Sequence, residues 1–199
     1  AFELLEAPIR PRERRPGSMT GAVAMLQVGG GEALRVEGGK VSQDRAEGIL
    51  RLLKVSGLEP SPFSLDEADA SMVALDSSGE VVGFVQGFMR GDTVCLCQVC
   101  VHPSLRRCGL ATRMLEALAS GRHAKTVEAS VMPNNMELRD TIRLFASAHR
   151  CPCTLTGKWQ LEERFPTSRK ALTQFLYRVG PLAYKDHLDS ATTAALSRL

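Results

Sequence analysis

A short basic loop at residues 106–111 has residue types and spacing that fit a defined chemistry. Its sequence is Arg-Arg-Cys-Gly-Leu-Ala, and it lies between an apolar run that ends at Val101 and a helical pattern that begins at Leu110. Backbone N–H groups in the first turn of a helix lack intrahelical partners and carry partial positive charge, so they bind phosphate groups. Gly109 and Ala111 allow close approach of the backbone, and the arginines add positive charge. The loop predicts a pyrophosphate-binding site, with a glycine turn that merely opens a surface helix as the alternative.

The spacing of apolar residues predicts the strands and helices that position this loop. Predicted strands cover residues 32–36, 71–75, 80–89, 93–101, 126–132 and 174–180. Predicted amphipathic helices cover residues 46–53, 110–119 and 138–145, and the first of them has Ser42 or Asp44 as its cap. This order predicts a single α/β domain at 33–182, built on a mixed, mostly antiparallel sheet with helices on both faces. The basic, Pro- and Gly-rich residues 1–32 predict a disordered arm, or a remnant of an organelle-targeting segment, and 183–199 form a polar tail.

Length and composition exclude several classes of protein. The 199 residues are 44% hydrophobic and 24% charged, which are ordinary values for a globular domain and not those of a disordered chain. No apolar run reaches the roughly 18 residues of a membrane-spanning helix, so no membrane association is expected. The net charge of +3 is too small to indicate a protein that coats nucleic acid.

Six cysteines are present, and three of them, Cys95, Cys97 and Cys100, fall in one predicted strand. Cys95 and Cys97 share a face of that strand and Cys100 points the other way, which is poor geometry for disulfides. We therefore expect free thiols in a reducing compartment and a cytoplasmic protein. Together with Cys151 and Cys153, these residues lack a standard zinc spacing, and no metal site is predicted.

The strand, basic loop and helix at residues 94–118 resemble the GNAT superfamily of acetyl-CoA-dependent N-acetyltransferases. In that family an Arg/Gln-x-x-Gly-x-Gly/Ala loop binds the pyrophosphate of coenzyme A, and the preceding strand splays from its neighbour and binds the pantetheine arm. The resemblance thus implies that acetyl-CoA is the acetyl donor. The implied cofactor-binding residues are Gln98, Val99, Cys100 and Val101 along the pantetheine, Arg106, Arg107, Cys108, Gly109, Leu110, Ala111 and Thr112 at the pyrophosphate, and Asn135 after the next strand.

Four segments, two of them within residues 94–118, resemble the L-2,4-diaminobutyrate acetyltransferases of ectoine biosynthesis. They are Gln98-Val-Cys-Val-His-Pro103, Gly109-Leu-Ala111, Glu128-Ala-Ser-Val-Met-Pro-Asn-Asn135 and Leu176-Tyr-Arg-Val-Gly-Pro181. The last is the most specific, because generic family members lack it. The similarity covers residues 33–182, but Cys97 stands where those enzymes have tryptophan and Arg107 where they have glycine. The resemblance implies conversion of L-2,4-diaminobutyrate to its N4-acetyl derivative.

Acetyl transfer to an amine requires a neutral nitrogen, a polarised thioester carbonyl and a proton for the leaving thiolate. Glu128 is the candidate for removing the ammonium proton or pairing with the ammonium, and an ordinary strand carboxylate is its alternative. The Val99 N–H is the expected donor to the thioester oxygen. Many GNAT enzymes have a tyrosine acid where this chain has Ile142; Tyr177 is a candidate substitute, and a tyrosine packed in the last strand is the alternative. His102, before Pro103, is interpreted as a turn residue rather than a base.

Two other functions remain open at this level. One is acetylation of another small amine or of a protein amino group, and the other is a degenerate acyl-CoA-binding domain without activity. Small-molecule substrates are the expected partners, without nucleic acid. Many relatives are dimers, and the apolar last strand could support a homodimer here.

Overall fold

The sheet of the protein is built from eight strands, with three α-helices packed on it. The structure, a computed structural model, describes residues 22–27, 33–39, 41–60, 65, 68–160 and 173–183. The strands are β1 Ala22–Gln27, β2 Ala33–Gly38, β3 Ala70–Leu75, β4 Val81–Arg90, β5 Thr93–Val101, β6 Thr126–Val131, β7 Cys153–Gln160 and β8 Thr173–Val179. The helices are α1 Gln43–Val55, α2 Leu110–Gly121 and α3 Met136–Ala148, and a 3-10 turn spans Pro103–Leu105.

The strand order is β1-β2-β3-β4-β5-β6-β8-β7, and among these described strands only β5 and β6 run parallel. Two apolar clusters cover the two faces of the sheet. On one face, α1 packs Ile49, Leu52 and Leu53 against β3 and β4; on the other, α2 and α3 pack side chains such as Met114 and Phe145. The mixed, mostly antiparallel sheet with helices on both faces is therefore confirmed. Ser42 caps α1 by accepting a hydrogen bond from the Arg45 N–H, as expected.

Two strands depart from the sequence prediction. β1 lies within the segment 1–32 that was predicted to be disordered, and it pairs antiparallel with β2 from Ala22–Gly38 to Gln27–Ala33. The prediction was wrong there because the Arg- and Pro-rich residues before it dominated the composition, whereas residues 22–27 are largely apolar. β7 was not predicted, because its residues are largely polar and form no continuous apolar run. A polar sequence suits its position, since among the described strands β7 lies at the end of the sheet and pairs only with β8.

Candidate active site

The centre of the candidate site is a fork between the parallel strands β5 and β6. These strands pair from Thr93–Thr126 to Leu96–Ala129 and no further, although β5 continues to Val101 and β6 to Val131. At the same point the pairing of β5 with β4 shifts, since Gln86 pairs with Gln98 and Gly87 with Leu96. Cys97 is the extra residue of this β-bulge, and a bulge bends its strand. The predicted splaying of the cofactor strand is confirmed.

The direction of the β5 backbone decides which of its groups face the fork. The His102 N–H donates to the Val82 carbonyl, on the β4 side. Because successive residues of a strand direct their N–H and C=O groups to opposite sides, Gln98 and Cys100 also face β4, whereas Val99 and Val101 face away from it, into the fork. Of the four residues predicted along the pantetheine, Val99 and Val101 thus present main-chain groups there.

The side chains of the other two residues are used elsewhere. Gln98 donates its amide nitrogen to the Glu59 carbonyl oxygen at 2.7 Å. The Cys100 thiol is buried under α1 and donates to the Ser56 hydroxyl oxygen at 3.2 Å. Burial raises the pKa of the Cys100 thiol above that of a free cysteine. Both side chains tie β5 to α1 and its following loop, so we assign them to holding the strand in place.

The N-terminus of α2 lies directly after the loop and is open for an anion. Its capping residue, Gly109, has a φ of 82° and offers no side chain to the first-turn N–H groups, and the first turn has no acidic residue. The Arg113 N–H bonds to the Gly109 carbonyl, so the N–H groups that precede this bond are those of Leu110, Ala111 and Thr112. A Cβ at Gly109 would meet no described atom within 4 Å, so the space beside Gly109 is open. This geometry fits a pyrophosphate.

Arg106, Arg107 and Cys108 have different positions in the loop. Arg107 adopts a φ of 64°, in the left-handed region that favours glycine. Arg106 donates to the Val101 carbonyl oxygen through Nε at 3.4 Å and forms an ion pair of 3.7 Å with Glu137 in the first turn of α3. The Cys108 thiol donates to the Leu105 carbonyl within the loop. Arg106 therefore connects the fork, the loop and the start of α3.

Asn135 has a structural role that the sequence did not indicate. It is the N-cap of α3 and accepts a hydrogen bond from the Leu138 N–H at 3.0 Å through its side-chain oxygen. The pair between Arg106 and Glu137 brings this helix start close to the basic loop.

Glu128 lies in the paired part of β6, beside the fork, and its side chain is 4% exposed. One carboxylate oxygen, Oε2, accepts from Arg90 and lies 3.9 Å from the Cys95 thiol. The other, Oε1, forms an ion pair of 3.5 Å with Arg178 of β8. Both oxygens of the carboxylate are thus engaged by guanidinium groups.

Tyr177 and Glu128 lie on opposite faces of the sheet. In the pairing of β6 with β8, Glu128 is opposite Arg178 and Ala129 is opposite Tyr177. Ala129 belongs to the apolar cluster under α2 and α3, and Tyr177 packs against that cluster. The structure therefore does not bring the two predicted catalytic side chains together.

Arg90 and Arg178 are residues of the site that the sequence analysis missed. Arg90 precedes a hairpin turn at Gly91 and Asp92, and Arg178 lies in the closing motif 176–181. Neither has a spacing in sequence that indicates contact with Glu128, because the contact depends on the register of separate strands. The membership of Arg178 in the most specific motif was the one available signal.

Other predictions have simple outcomes. His102 is the turn residue that was expected, since it caps the 3-10 turn and its Nδ1 lies 2.7 Å from the Ser104 hydroxyl. All six cysteines are free thiols. Within the described ranges, none of the helices combines the length and the apolar character that crossing a bilayer requires.

A forked pair of parallel strands followed by an uncapped helix start is the arrangement that the resemblance implies for acyl-CoA-dependent acetyltransferases, and comparison with known proteins agrees. The profile described as "Acetyltransferase (GNAT) family" matches residues 48–145. An L-2,4-diaminobutyric acid acetyltransferase from Streptomyces anulatus is 33% identical over 126 residues, which cover 59% of this chain and 70% of that protein. The chain belongs to the GNAT family of acetyltransferases.

Two further similar proteins are also diaminobutyrate acetyltransferases. An L-2,4-diaminobutyric acid acetyltransferase from Virgibacillus pantothenticus is 28% identical over 123 residues, covering 59% of this chain and 76% of that protein. Among solved structures, the diaminobutyrate acetyltransferase EctA from Paenibacillus lautus, in complex with its substrate L-2,4-diaminobutyric acid and coenzyme A, superimposes with a TM-score of 0.62. It is 26% identical, and the match covers 75% of this chain and 97% of that one.

Proposed function

We propose that this chain is an acetyl-CoA-dependent N-acetyltransferase that converts L-2,4-diaminobutyrate to N4-acetyl-L-2,4-diaminobutyrate, as in ectoine biosynthesis. The observation that carries the proposal is the 33% identity, over 70% of its length, to a diaminobutyrate acetyltransferase. The fork and the open start of α2 support it independently, because they supply the two surfaces that an acyl-CoA requires.

The groups that would hold acetyl-CoA follow from the directions of the backbone. The N–H groups of Leu110, Ala111 and Thr112 would bind the pyrophosphate, and Arg107 would add charge. The Val99 carbonyl and the Val101 N–H, which both face the fork, would bind the amides of the pantetheine arm. The amide nitrogen of Asn135 is proposed as a further contact. When bound, the thioester supplies an activated acetyl group.

The chemical step is attack by a neutral amine on the thioester carbonyl. The nitrogen forms a bond to the acetyl carbon, the C–S bond breaks, the ammonium gives up its proton, and the leaving thiolate takes one up. The Val99 N–H faces the fork and is proposed to stabilise the negative charge that develops on the carbonyl oxygen. This role requires only a main-chain N–H group, and the bulge at Cys97 positions that group.

The proton-transfer residues remain proposals. Glu128 is proposed to accept the ammonium proton on a lone pair that its arginine partners leave open, since each carboxylate oxygen has two lone pairs. Tyr177 would have to act from the opposite face of the sheet as the acid for the thiolate. A Glu128→Gln variant that keeps the pH dependence of kcat/KM unchanged would exclude the base role, and Tyr177→Phe with unchanged kcat would exclude the acid role.

The product itself tests the proposed function. Thiol release from acetyl-CoA is followed with L-2,4-diaminobutyrate, and NMR of the product locates the acetyl group. We expect one equivalent of thiol for each acetyl group and acetylation of the N4 nitrogen. Acetylation at the α-nitrogen, or no turnover while coenzyme A still binds in calorimetry, would contradict the proposal.

We also propose a homodimer in a cytoplasmic, reducing location. The six free thiols support the location. The last strand, β8, which was expected to support a homodimer, lies between β6 and β7 inside the sheet. The proposed dimer contact is instead β7, at the end of the described strand order, where Leu155 is exposed. Light scattering on the eluting protein measures the mass, and a monomer at micromolar concentration would contradict the dimer.

A further inference from the structure

Arg90, Glu128 and Arg178 form a cluster that the chemistry of acetyl transfer does not by itself require. The buried carboxylate is 4% exposed, whereas the side chains of Arg90 and Arg178 are 44% and 50% exposed. Burying a carboxylate is costly unless it is paired, so Glu128 fixes the positions of both guanidinium groups. Two cations share one anion, and the cluster keeps one net positive charge with N–H donors that reach solvent.

The register of the sheet places this cluster beside the fork. Glu128 pairs with Cys95, one residue before the last paired residues, Leu96 and Ala129. With a rise of about 3.3 Å per residue, the Glu128 backbone lies within a few ångströms of the point where the strands part. Arg178 is directly opposite Glu128 on β8, and Arg90 lies opposite Thr93 at the start of β5.

The cluster also lies on the face from which an acceptor must approach. Val127 and Ala129, the neighbours of Glu128, point into the apolar cluster under α2 and α3, so Glu128 points to the face of α1. The open start of α2, which would hold the phosphates, belongs to a helix on the other face. An acyl donor bound by α2 therefore leaves the α1 face of the fork for the amine.

We propose that Arg90 and Arg178 bind the α-carboxylate of the acceptor amino acid, and that Glu128 is the positioning residue that holds them. Guanidinium groups match carboxylates in planar, two-point geometry, and a pre-positioned arginine loses less side-chain entropy on binding. The cluster thereby selects an amino-acid acceptor over a simple diamine. This inference rests on the proposed function and specifies how the same site recognises its acceptor.

The test compares L-2,4-diaminobutyrate with 1,3-diaminopropane, which has the same chain and amine but no carboxylate. The variants are Arg178→Met and the conservative Arg178→Lys. The matched control is Arg51→Met on α1, which removes an arginine from an exposed ion pair with Glu80. Losing a charged hydrogen-bonded contact should raise KM for diaminobutyrate about 10- to 100-fold in Arg178→Met. The ratio of kcat/KM for diaminobutyrate to kcat/KM for 1,3-diaminopropane should fall by the same factor, because only diaminobutyrate has a carboxylate that loses its contact. Arg51→Met should leave that ratio unchanged.

The Arg178→Lys variant keeps a positive charge beside Glu128 and separates folding from recognition. It should melt close to the parent protein and still raise KM for diaminobutyrate, because an ammonium cannot replace the planar two-point contact. Equal losses with both acceptors, or no change with either, would overturn the inference and leave the cluster a structural one.

The failure of the proposed function gives a different pattern. If the parent enzyme acetylates ornithine but not diaminobutyrate, the proposed substrate is wrong, and ornithine against putrescine becomes the acceptor pair that tests Arg178 in the same way. A parent enzyme that prefers the carboxylate-free amine in either pair would overturn the inference while leaving the acetyltransferase activity intact. Silence with all four amines would overturn both.

Discussion

Replacement of Arg107 by glycine should stabilise the protein and weaken its binding of coenzyme A. Arg107 has a φ of 64°, and a left-handed conformation costs a residue with a side chain roughly 1–2 kcal/mol. Glycine avoids this cost but loses about 0.5–1 kcal/mol more backbone entropy on folding. The expected net gain is about 0.5–1 kcal/mol, which corresponds to a rise in Tm of about 1–4 °C for a chain of this length.

The same substitution removes a cation from the loop before α2. If the pyrophosphate binds there, Kd for coenzyme A should rise roughly three- to tenfold at low salt, and the difference should shrink as added salt screens the charge. Calorimetric titration at two salt concentrations and a thermal melt measure both effects on one preparation.

Arg150→Gly is the matched control. Arg150 follows α3 and has a φ of 51°. Its replacement by glycine therefore also removes one arginine from an exposed position with left-handed backbone. It should raise Tm by a similar amount and leave Kd for coenzyme A unchanged. A lower Tm for Arg107→Gly would refute the backbone argument, and equal Kd values in the two variants would refute the assignment of the loop as the phosphate site.

Three further predictions concern the frame of the site. Asn135→Ser keeps a cap for α3 but loses the amide nitrogen, so it should weaken coenzyme A binding with little change in stability. Asn135→Ala should also lower the free energy of urea unfolding by about 1 kcal/mol. Equal stability of the two variants would contradict the capping role. Gly87→Ala places a Cβ 2.7 Å from the Cys95 carbonyl oxygen at the bulge, so it should lower the free energy of unfolding by about 1–3 kcal/mol and lower kcat. Gly83→Ala meets the flexible end of the Met114 side chain and should destabilise the protein less. A larger loss of stability in Gly83→Ala would contradict this packing argument. Burial raises the folded-state pKa of Cys100 above the 9.0 of a free thiol, so the free energy of unfolding should fall as pH rises past 9. Cys100→Ala should reduce this fall. An identical dependence of the unfolding free energy on pH in the variant and the parent would contradict the prediction.

The parts of the site that depend on neighbouring residues in sequence could be predicted from the sequence. The loop at 106–111 and the start of α2 are local features, since a glycine and the first turn of a helix are sufficient to define them. The same holds for the hairpin at Gly91 and for the turn at His102. The fork of β5 and β6 was predicted only from the family resemblance, because the sequence of β5 does not indicate where its pairing with β6 ends.

The parts that depend on the register of distant strands could not be predicted. Glu128 was identified from its position in a motif, but its pairing with Arg178 depends on β6 lying antiparallel to β8, some fifty residues later in the chain. The bulge at Cys97 likewise depends on how β4 and β5 align, and it determines that Val99 rather than Gln98 faces the fork. Composition averaged over 1–32 concealed β1, because this strand is only six residues long and follows a longer Arg- and Pro-rich stretch.

The measurement that tests the central claim most directly is kcat/KM for four amine acceptors with acetyl-CoA: L-2,4-diaminobutyrate, ornithine, lysine and putrescine. Thiol release gives the rates, with coenzyme A binding measured in parallel by calorimetry. The account predicts a preference for diaminobutyrate of at least about tenfold over each of the others. Turnover that favours another amine, or coenzyme A binding without turnover of any of the four, would contradict it.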